Sequence, residues 1–287
     1  MGQSCCWLLR NPMVSFIIVN FNGEKYIERC ISSVLALKVE KEIIVVDNGS
    51  TDRSRDLINK FNVKKLFLKK NSGYPSGVNK GIKISRGDTI FLLTPTTFFD
   101  NYIETLLKDI EDVDAVAPTL VDDKGNTIQS IRRIPTYRDF IFLLTGISGL
   151  FKNFPFFNRW KYPDFDYTKR QIAPQPMSCC ILIKRDVLSE LGGFDEDFFL
   201  YFSDVDFFKR FNQHGFKCLF EPDVKVTHIR GGTTRNIGEK RLEHFHKDMI
   251  IYLRKHHKLW QLPAFMSVLV FGIRKLHHRI KKWMKRN

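Results

Sequence analysis

The most constraining feature of the sequence is a fourfold alternation of short apolar runs and helix-patterned segments between residues 14 and 93. Val14 to Phe21 (VSFIIVNF) is apolar and β-rich, as a strand buried on both faces requires. Asn22-Gly23 breaks it. Glu24 to Leu37 then places Ile27, Cys30, Ile31, Val34 and Leu35 on one face of a 3.6-residue period. Glu42 to Val46 (EIIVV) is a second buried strand, Ser54 to Phe61 a second helix and Val63 to Leu68 a third strand. Ser76 to Ser85 reads as a third helix and Thr89 to Leu93 (TIFLL) as a fourth strand. This alternation predicts a layered α/β fold with a mostly parallel central sheet, flanking helices and right-handed crossovers. Ligands bind such sheets beyond the carboxyl ends of the strands. Three polar segments fall there: Asn20 to Gly23, Asp47 to Asp52 and Thr94 to Thr97. No GxGxxG follows the first strand and no GxxxxGK[ST] occurs, which argues against a dinucleotide-binding domain and a P-loop.

Further along, Asp114 to Pro118 is expected as a fifth strand, and Leu120 to Ile128 as a hairpin turning at Asp-Lys-Gly-Asn. Asp100 reads as the N-cap of a helix from Asn101 to Ile110. Residues 131–175 are rich in aromatic and basic side chains, which suit sugar or lipid contact but also an ordinary core. Met177 to Ile183 returns as a buried strand, and Lys217 to Phe220 and Val224 to Thr227 close the sheet.

The chemistry concentrates in Gly193 to Asp206 (GFDEDFFLYFSDVD), where five acids sit among aromatics. Isolated carboxylates resist burial unless paired or used. A loop folded against a core with some acids facing a cleft reconciles the two. Asp204 stands at or near a helix N-terminus, where negative charge is favoured. A plain N-cap role for Asp204 and a turn role for Asp195 are the structural alternatives.

Gly-Gly-Phe-Asp-Glu, then Phe-Phe-Leu-Tyr, then an Asp resembles the acceptor-side motif of family 2 glycosyltransferases, inverting enzymes with a GT-A fold. VSFIIVNFNGEKYIERCISSVL with EIIVVDNGSTDRS is similar to the opening of that family's nucleotide-binding half, in a rhamnosyltransferase-like branch. Asn71-Ser72-Gly73-Tyr74-Pro75 with Gly77, Asn79 and Gly81 resembles the glycine-rich element that follows it. The resemblance covers about residues 13 to 235 and implies transfer of a sugar from a UDP- or dTDP-linked donor. It implies that Asn20, Asp47, Asp52, Gly73 and Asn79 hold the donor nucleotide, with Asp47 accepting a hydrogen bond from the base. The alternative for Asp47 and Asp52 is an Asx turn. Asp204 takes the place of the catalytic base, with Ser203 where relatives carry Glu. Asp195, Glu196 and Tyr201 fall on the acceptor side.

Relatives follow the fourth strand with Asn-Pro-Asp, whose Asp binds a divalent metal, Mn or Mg, on the pyrophosphate. Here Thr96 occupies that place, and a hydroxyl is a poor substitute for a carboxylate toward a hard cation. Val226 to Gly232 (VTHIRGG) resembles the element whose His joins the metal or phosphate site, making His228 the candidate ligand. One account is an enzyme with weak or no metal use, in which His228 and Arg230 neutralise the diphosphate. Another is a catalytically impaired nucleotide-sugar binder or assembly partner. Without the resemblance, His228 reads as a satisfied structural histidine.

The net charge of +15 over 287 residues implies an anionic partner. After Pro263 no acid occurs, and Phe265, Leu269, Ile273, Leu276, Ile280 and Trp283 form one helical stripe amid lysines and arginines. That pattern suits an amphipathic helix on an anionic bilayer rather than nucleic acid; packing on the catalytic domain is the alternative. No run of about 18 apolar residues predicts a membrane-spanning helix. The six cysteines form no CxxC, so reduced thiols in a cytoplasmic protein, peripheral on the inner membrane face, are expected. Gly2 lacks the Ser or Thr at position 6 of a myristoylation signal, Cys6 standing there instead. The expected organisation is a leader (1–12), a GT-A-like domain (13–235, with 131–175 an acceptor-side insert) and C-terminal helices (236–287). The expected acceptor is a saccharide or lipid-linked saccharide of cell-surface polysaccharide synthesis. A nucleotidyltransferase on a similar scaffold is disfavoured, since no glycine- and basic-rich nucleotide loop stands where one is expected.

Overall fold

The computed structural model of the chain describes residues 13–100, 102–152, 154–232 and 240–284, with side chains as far as residue 272. The leader with Gly2, Cys5 and Cys6 lies outside them, as do Asn101, Glu239 and the side chains of Ile273, Leu276, Ile280 and Trp283. The first half runs β1 (Val14–Asn20), α1 (Ile27–Ala36), β2 (Lys41–Asp47), α2 (Ser54–Asn59), β3 (Lys64–Phe67), α3 (Tyr74–Ile84) and β4 (Thr89–Leu93). Then come β5 (Thr97–Phe99), α4 (Glu104–Asp112), β6 (Ala115–Val121), β7 (Ile131–Arg132), α5 (Tyr137–Leu144) and α6 (Ile147–Leu150). The chain continues through β8 (Gln171–Ile172), β9 (Gln175–Pro176), β10 (Cys180–Lys184), α7 (Arg185–Glu190) and α8 (Ser203–Gln213). It closes with β11 (Cys218–His228), α9 (Lys240–His256) and α10 (Gln261–Met284).

The main sheet has the order β3-β2-β1-β4-β10-β6-β11-β5, with β8 beside β11, and its first four strands are parallel. The expected mostly parallel α/β sheet is therefore present. Both faces of β1 are buried: Phe16 and Ile18 join one core, Ile17 and Val19 the other. That is why VSFIIVN carries no polar alternation. The glycines of α3 serve this packing. A Cβ at Gly77 would stand 2.6 Å from Val19 Cγ1, and one at Gly81 would collide with Ile17.

Three expectations are corrected. Asp100 does not cap the helix after it; α4 starts at Glu104 behind Ile103, and Asp100 instead accepts the Thr227 hydroxyl at 2.7 Å. Residues 177–179 precede β10, which pairs antiparallel with β4 and β6. The two closing strands are one, β11, bulged between Glu221 and Lys225. The aromatics of 131–175, for which the sequence leaves both a core and a contact role open, divide. Phe140 and Trp160 join a third core with Phe202, Met249 and Tyr252, whereas Phe151, Phe154 and Phe156 are exposed.

Candidate active site

From β1 the chain steps outward to β2 and β3, then returns to β4 on the other side of β1. Such a reversal leaves a crevice at the strands' carboxyl ends. A cavity of about 310 Å³ lies beside Thr94 and Thr96, which leave β4, and beside His228 and Arg230 at the end of β11. Its apolar wall is Trp160, Phe202 and Phe245; its remaining polar groups include Tyr201, Asp204, Arg132 and Gln175.

Asp204 reaches the cavity through local strain. Phe202, a non-glycine residue at φ 60°, is held in the left-handed region by ring contacts to Trp160 and Phe140 at centroid distances of 5.7 and 6.0 Å. Such a conformation costs on the order of 1 kcal/mol. It turns the chain sharply into α8, whose first turn carries Asp204 and Asp206. Residues two apart on a helix point to opposite sides, and these two separate accordingly. Asp206 is fully buried against Arg210 Nε at 2.9 Å, Lys255 Nζ at 2.9 Å and His256 Nε2 at 2.7 Å. Burial alone would push its carboxyl up, but His256 and Lys255 hold it down at about 2. Asp204 instead accepts Val205 N–H at 2.9 Å and Gln175 Nε2 at 3.5 Å. Burial raises its pKa above the ordinary carboxylate range, an effect the nearby Arg132 guanidinium partly offsets. A raised pKa makes a carboxylate a better proton acceptor.

Arg132 and Gln175 sit directly opposite each other in the two-stranded β7–β9 ribbon, so their side chains share one face. Thr96 Oγ1 lies 3.1 Å from Thr94 Oγ1 and 3.4 Å from His228 Nδ1. Burial, followed by repulsion from Arg230, pushes the His228 imidazole down to about 4, so it is neutral at pH 7. Burial and Asp204 push the Cys179 thiol up to about 12, which makes it no nucleophile. Two hydroxyls and one imidazole do not fit Mn²⁺ or Mg²⁺, hard cations that take carboxylate oxygens. Among the described residues, no group of three His, Cys, Asp or Glu side chains could hold a metal ion.

The other expected site residues lie outside this cavity's lining. At the neighbouring ends of β1 and β2, Asp47 is fully buried and accepts Arg55 Nε at 2.8 Å, Asn20 Nδ2 at 3.0 Å and Ser50 N–H at 3.1 Å. Asp52 accepts Ser54 N–H and Glu24 N–H, each at 3.0 Å. Asn20 Oδ1 is buried with no hydrogen-bond partner among the described residues. Gly73 has φ 91° and abuts Phe199, where a Cβ would meet the Phe199 carbonyl oxygen at 2.7 Å. Asn79 ties α3 to the loop before α8, bonding Phe194 O at 2.7 Å and Glu196 Oε1 at 3.0 Å. Asp195 pairs with Lys255 at 2.5 Å. Of the acceptor-side trio, therefore, Tyr201 alone lines the cavity.

Sequence reasoning missed Arg132, Gln175 and Asp248. Asp248, on α9, accepts the N–H groups of Phe199, Leu200 and Tyr201 at 3.1, 2.9 and 2.7 Å. The available signal was an acid inside the helical run from Phe245 to Leu253; for a two-residue ribbon there was none.

Residues 15–192 match the profile described as Glycosyl transferase family 2. The chain is 25% identical over 268 residues to an N-acetylglucosaminyl-diphospho-decaprenol L-rhamnosyltransferase of Mycobacterium tuberculosis, covering 85% of each chain. It is 36% identical over 92 residues to a poly-beta-1,6-N-acetyl-D-glucosamine synthase of Staphylococcus aureus, covering 30% of this chain and 22% of that one. The fold is similar to that of a mannosyltransferase from Pyrobaculum calidifontis solved with GDP-Man and Mn²⁺, with TM-score 0.58, 15% identity and coverage of 93% and 76%. It is also similar to S. aureus TarS residues 1–349, with TM-score 0.53, 16% identity and coverage of 90% and 69%.

Proposed function

The chain belongs to glycosyl transferase family 2, and from that premise we propose that it moves one sugar, with inversion, from a UDP- or dTDP-linked donor to a saccharide or lipid-linked saccharide. Asp204 removes the proton of an acceptor hydroxyl as that oxygen bonds to the anomeric carbon. The bond from the anomeric carbon to the diphosphate breaks on the opposite face, and its electron pair leaves with the nucleoside diphosphate. The observation that carries this reading is the position of Asp204: a carboxylate of raised pKa in a cavity at the strands' carboxyl ends, within ion-pair distance of no cation among the described residues. Gln175 fixes its orientation, and Tyr201 and Trp160 offer the acceptor a surface with both polar and aromatic parts.

The donor base is assigned to the adjoining ends of β1 and β2. There Asn20, with its unpaired Oδ1, Asp47, Asp52 and Gly73 form the rim. Asn79, Glu196 and Asp195 contribute by fixing the loop that carries Tyr201 and Asp204. The acceptor is assigned as lipid-linked because the mycobacterial relative's name specifies a diphospho-decaprenol substrate. The exposed apolar face of α10 agrees. Phe265 and Leu269, the described members of the tail stripe, are 62% and 49% exposed, turned away from the domain. Among the described residues no helix is long and apolar enough to cross a membrane. The proposed location is the inner membrane face, with α10 lying in the anionic interface.

Thr96 in the place of a carboxylate favours a second reading, a nucleotide-sugar binder without turnover. A thermal-shift screen against sugar nucleotides, followed by a transfer assay, separates the two. The anomeric configuration of the product, read by NMR, tests the mechanism: inversion is expected, and retention would overturn the single displacement.

A further inference from the structure

Two guanidiniums line the cavity with no carboxylate in ion-pair contact among the described residues; the acid that Arg132 feels is Asp204, the proposed base. Arg132 stands 5.3 Å from the Trp160 ring, and Arg230 is an exposed residue of the cavity lining. Neither donates a hydrogen bond to a protein group nor makes an ion pair with a carboxylate among the described residues. Three arginines elsewhere in the fold differ. Arg55 and Arg210 each grip a buried carboxylate, at 2.8 and 2.9 Å, and Arg170 sits on Asp109. For Arg132, which is partly buried, a cation without an ion pair is costly; Arg230 is exposed, and the guanidinium fork of each matches phosphate oxygens. Beside these arginines, the Thr94, Thr96 and His228 side chains do not fit a divalent cation. His228 is also not a cation at neutral pH, so it cannot share the role with Arg230.

We propose that Arg132 and Arg230 together hold the donor diphosphate in place of a divalent metal ion. This rests on the reading that the cavity takes a nucleoside-diphosphate sugar. As the bond to the anomeric carbon breaks, its electron pair passes to a diphosphate oxygen, whose charge the two guanidiniums receive. The acceptor proton goes to Asp204. Thr96 is then the mark of a site rebuilt from metal to arginine.

The test is calorimetric titration of the full chain with UDP, dTDP, GDP and inorganic pyrophosphate, once in EDTA and once in Mn²⁺. The tightest-binding diphosphate is expected to show the same Kd in both buffers, to within about threefold. Arg230→Gln and Arg132→Gln each weaken it roughly tenfold or more, the size of one charge-assisted hydrogen bond. Arg132→Lys restores only part, lacking the planar fork. Thr96→Asp makes binding respond to Mn²⁺. Arg230 is exposed, so its variant folds even where Arg132→Gln does not. Wild-type binding that requires Mn²⁺, or an Arg230→Gln chain with wild-type affinity, overturns the inference and leaves the glycosyltransferase reading standing. Failure of every probe in both buffers overturns the nucleotide-sugar reading and this inference with it.

Discussion

Asp248 offers the sharpest link between the C-terminal helices and the proposed chemistry. It is 1% exposed, and its two oxygens take the N–H groups of Phe199, Leu200 and Tyr201. Those residues lead directly into the strained Phe202 and then Asp204. Removing the carboxylate in Asp248→Ala strands three donors. Hydrogen bonds to a charged group contribute roughly 1.5–3 kcal/mol each, so the gross loss is about 5–9 kcal/mol. Two effects reduce it. Burial pushes the Asp248 carboxyl up, so deleting it recovers a desolvation cost. Leu200 and Tyr201 also border the cavity, where water can reach the freed N–H groups. The net expectation is about 3–4 kcal/mol for Asp248→Ala and about half that for Asp248→Asn, which keeps one acceptor oxygen. Urea unfolding measures it. With the loop loosened, kcat falls while the donor KM holds, because the loop carries the proposed base rather than the base-binding rim. An Asp248→Ala chain with wild-type unfolding midpoint and wild-type kcat would refute the reasoning.

Three more outcomes are expected. His228 has a folded pKa of about 4 against an ordinary 6.5, so the unfolded chain takes the proton first. Stability from this group is complete above pH 6.5 and is lost as pH falls toward 4, on the order of 3 kcal/mol in all. His257, also pushed down to about 4, adds in the same direction. Urea midpoints between pH 7 and 4.5 should therefore fall, and less steeply in His228→Asn; equal slopes would contradict the assignment. Gly77→Ala, with its Cβ 2.6 Å from Val19 Cγ1, should cost about 1–3 kcal/mol by calorimetry, and an unchanged Tm would show that α3 yields freely. Phe265→Ser with Leu269→Ser should lower affinity for anionic vesicles roughly tenfold or more in flotation, given about 1.5–3 kcal/mol per large apolar side chain. Unaltered flotation would remove α10 from the membrane reading.

The parallel half of the sheet was legible because β1, β2 and β4, buried along most or all of their length, leave an apolar record, and the partly exposed edge strand β3 (KKLF) follows a helix-patterned segment. Its boundaries shifted by a few residues, as with α3, which starts at Tyr74 rather than Ser76. The antiparallel half was harder. β10 runs against β4, and β11 continues through a bulge at Pro222 that reads locally as a break. Asp204, Tyr201, His228 and Arg230 were legible because each lies in a contiguous motif, and the cavity brings them together. Arg132 and Gln175 were not, since a two-residue ribbon brings them in from segments more than 40 positions apart. Asp204 and Asp206 both belong to the acid-rich segment 193–206, yet helix geometry sends Asp206 to Lys255 and His256. Asn79 and Glu196 read as ligand residues, yet they bond each other, because a short polar side chain can latch a loop as readily as it can bind a ligand.

The central claim is that Asp204 takes the acceptor's proton. Turnover of Asp204→Asn with the donor identified by screening tests it most directly, run beside the melting temperature and nucleoside-diphosphate affinity of the same variant. The account predicts a loss of about 10²- to 10⁴-fold in kcat with both controls unchanged. Wild-type turnover by Asp204→Asn would contradict it.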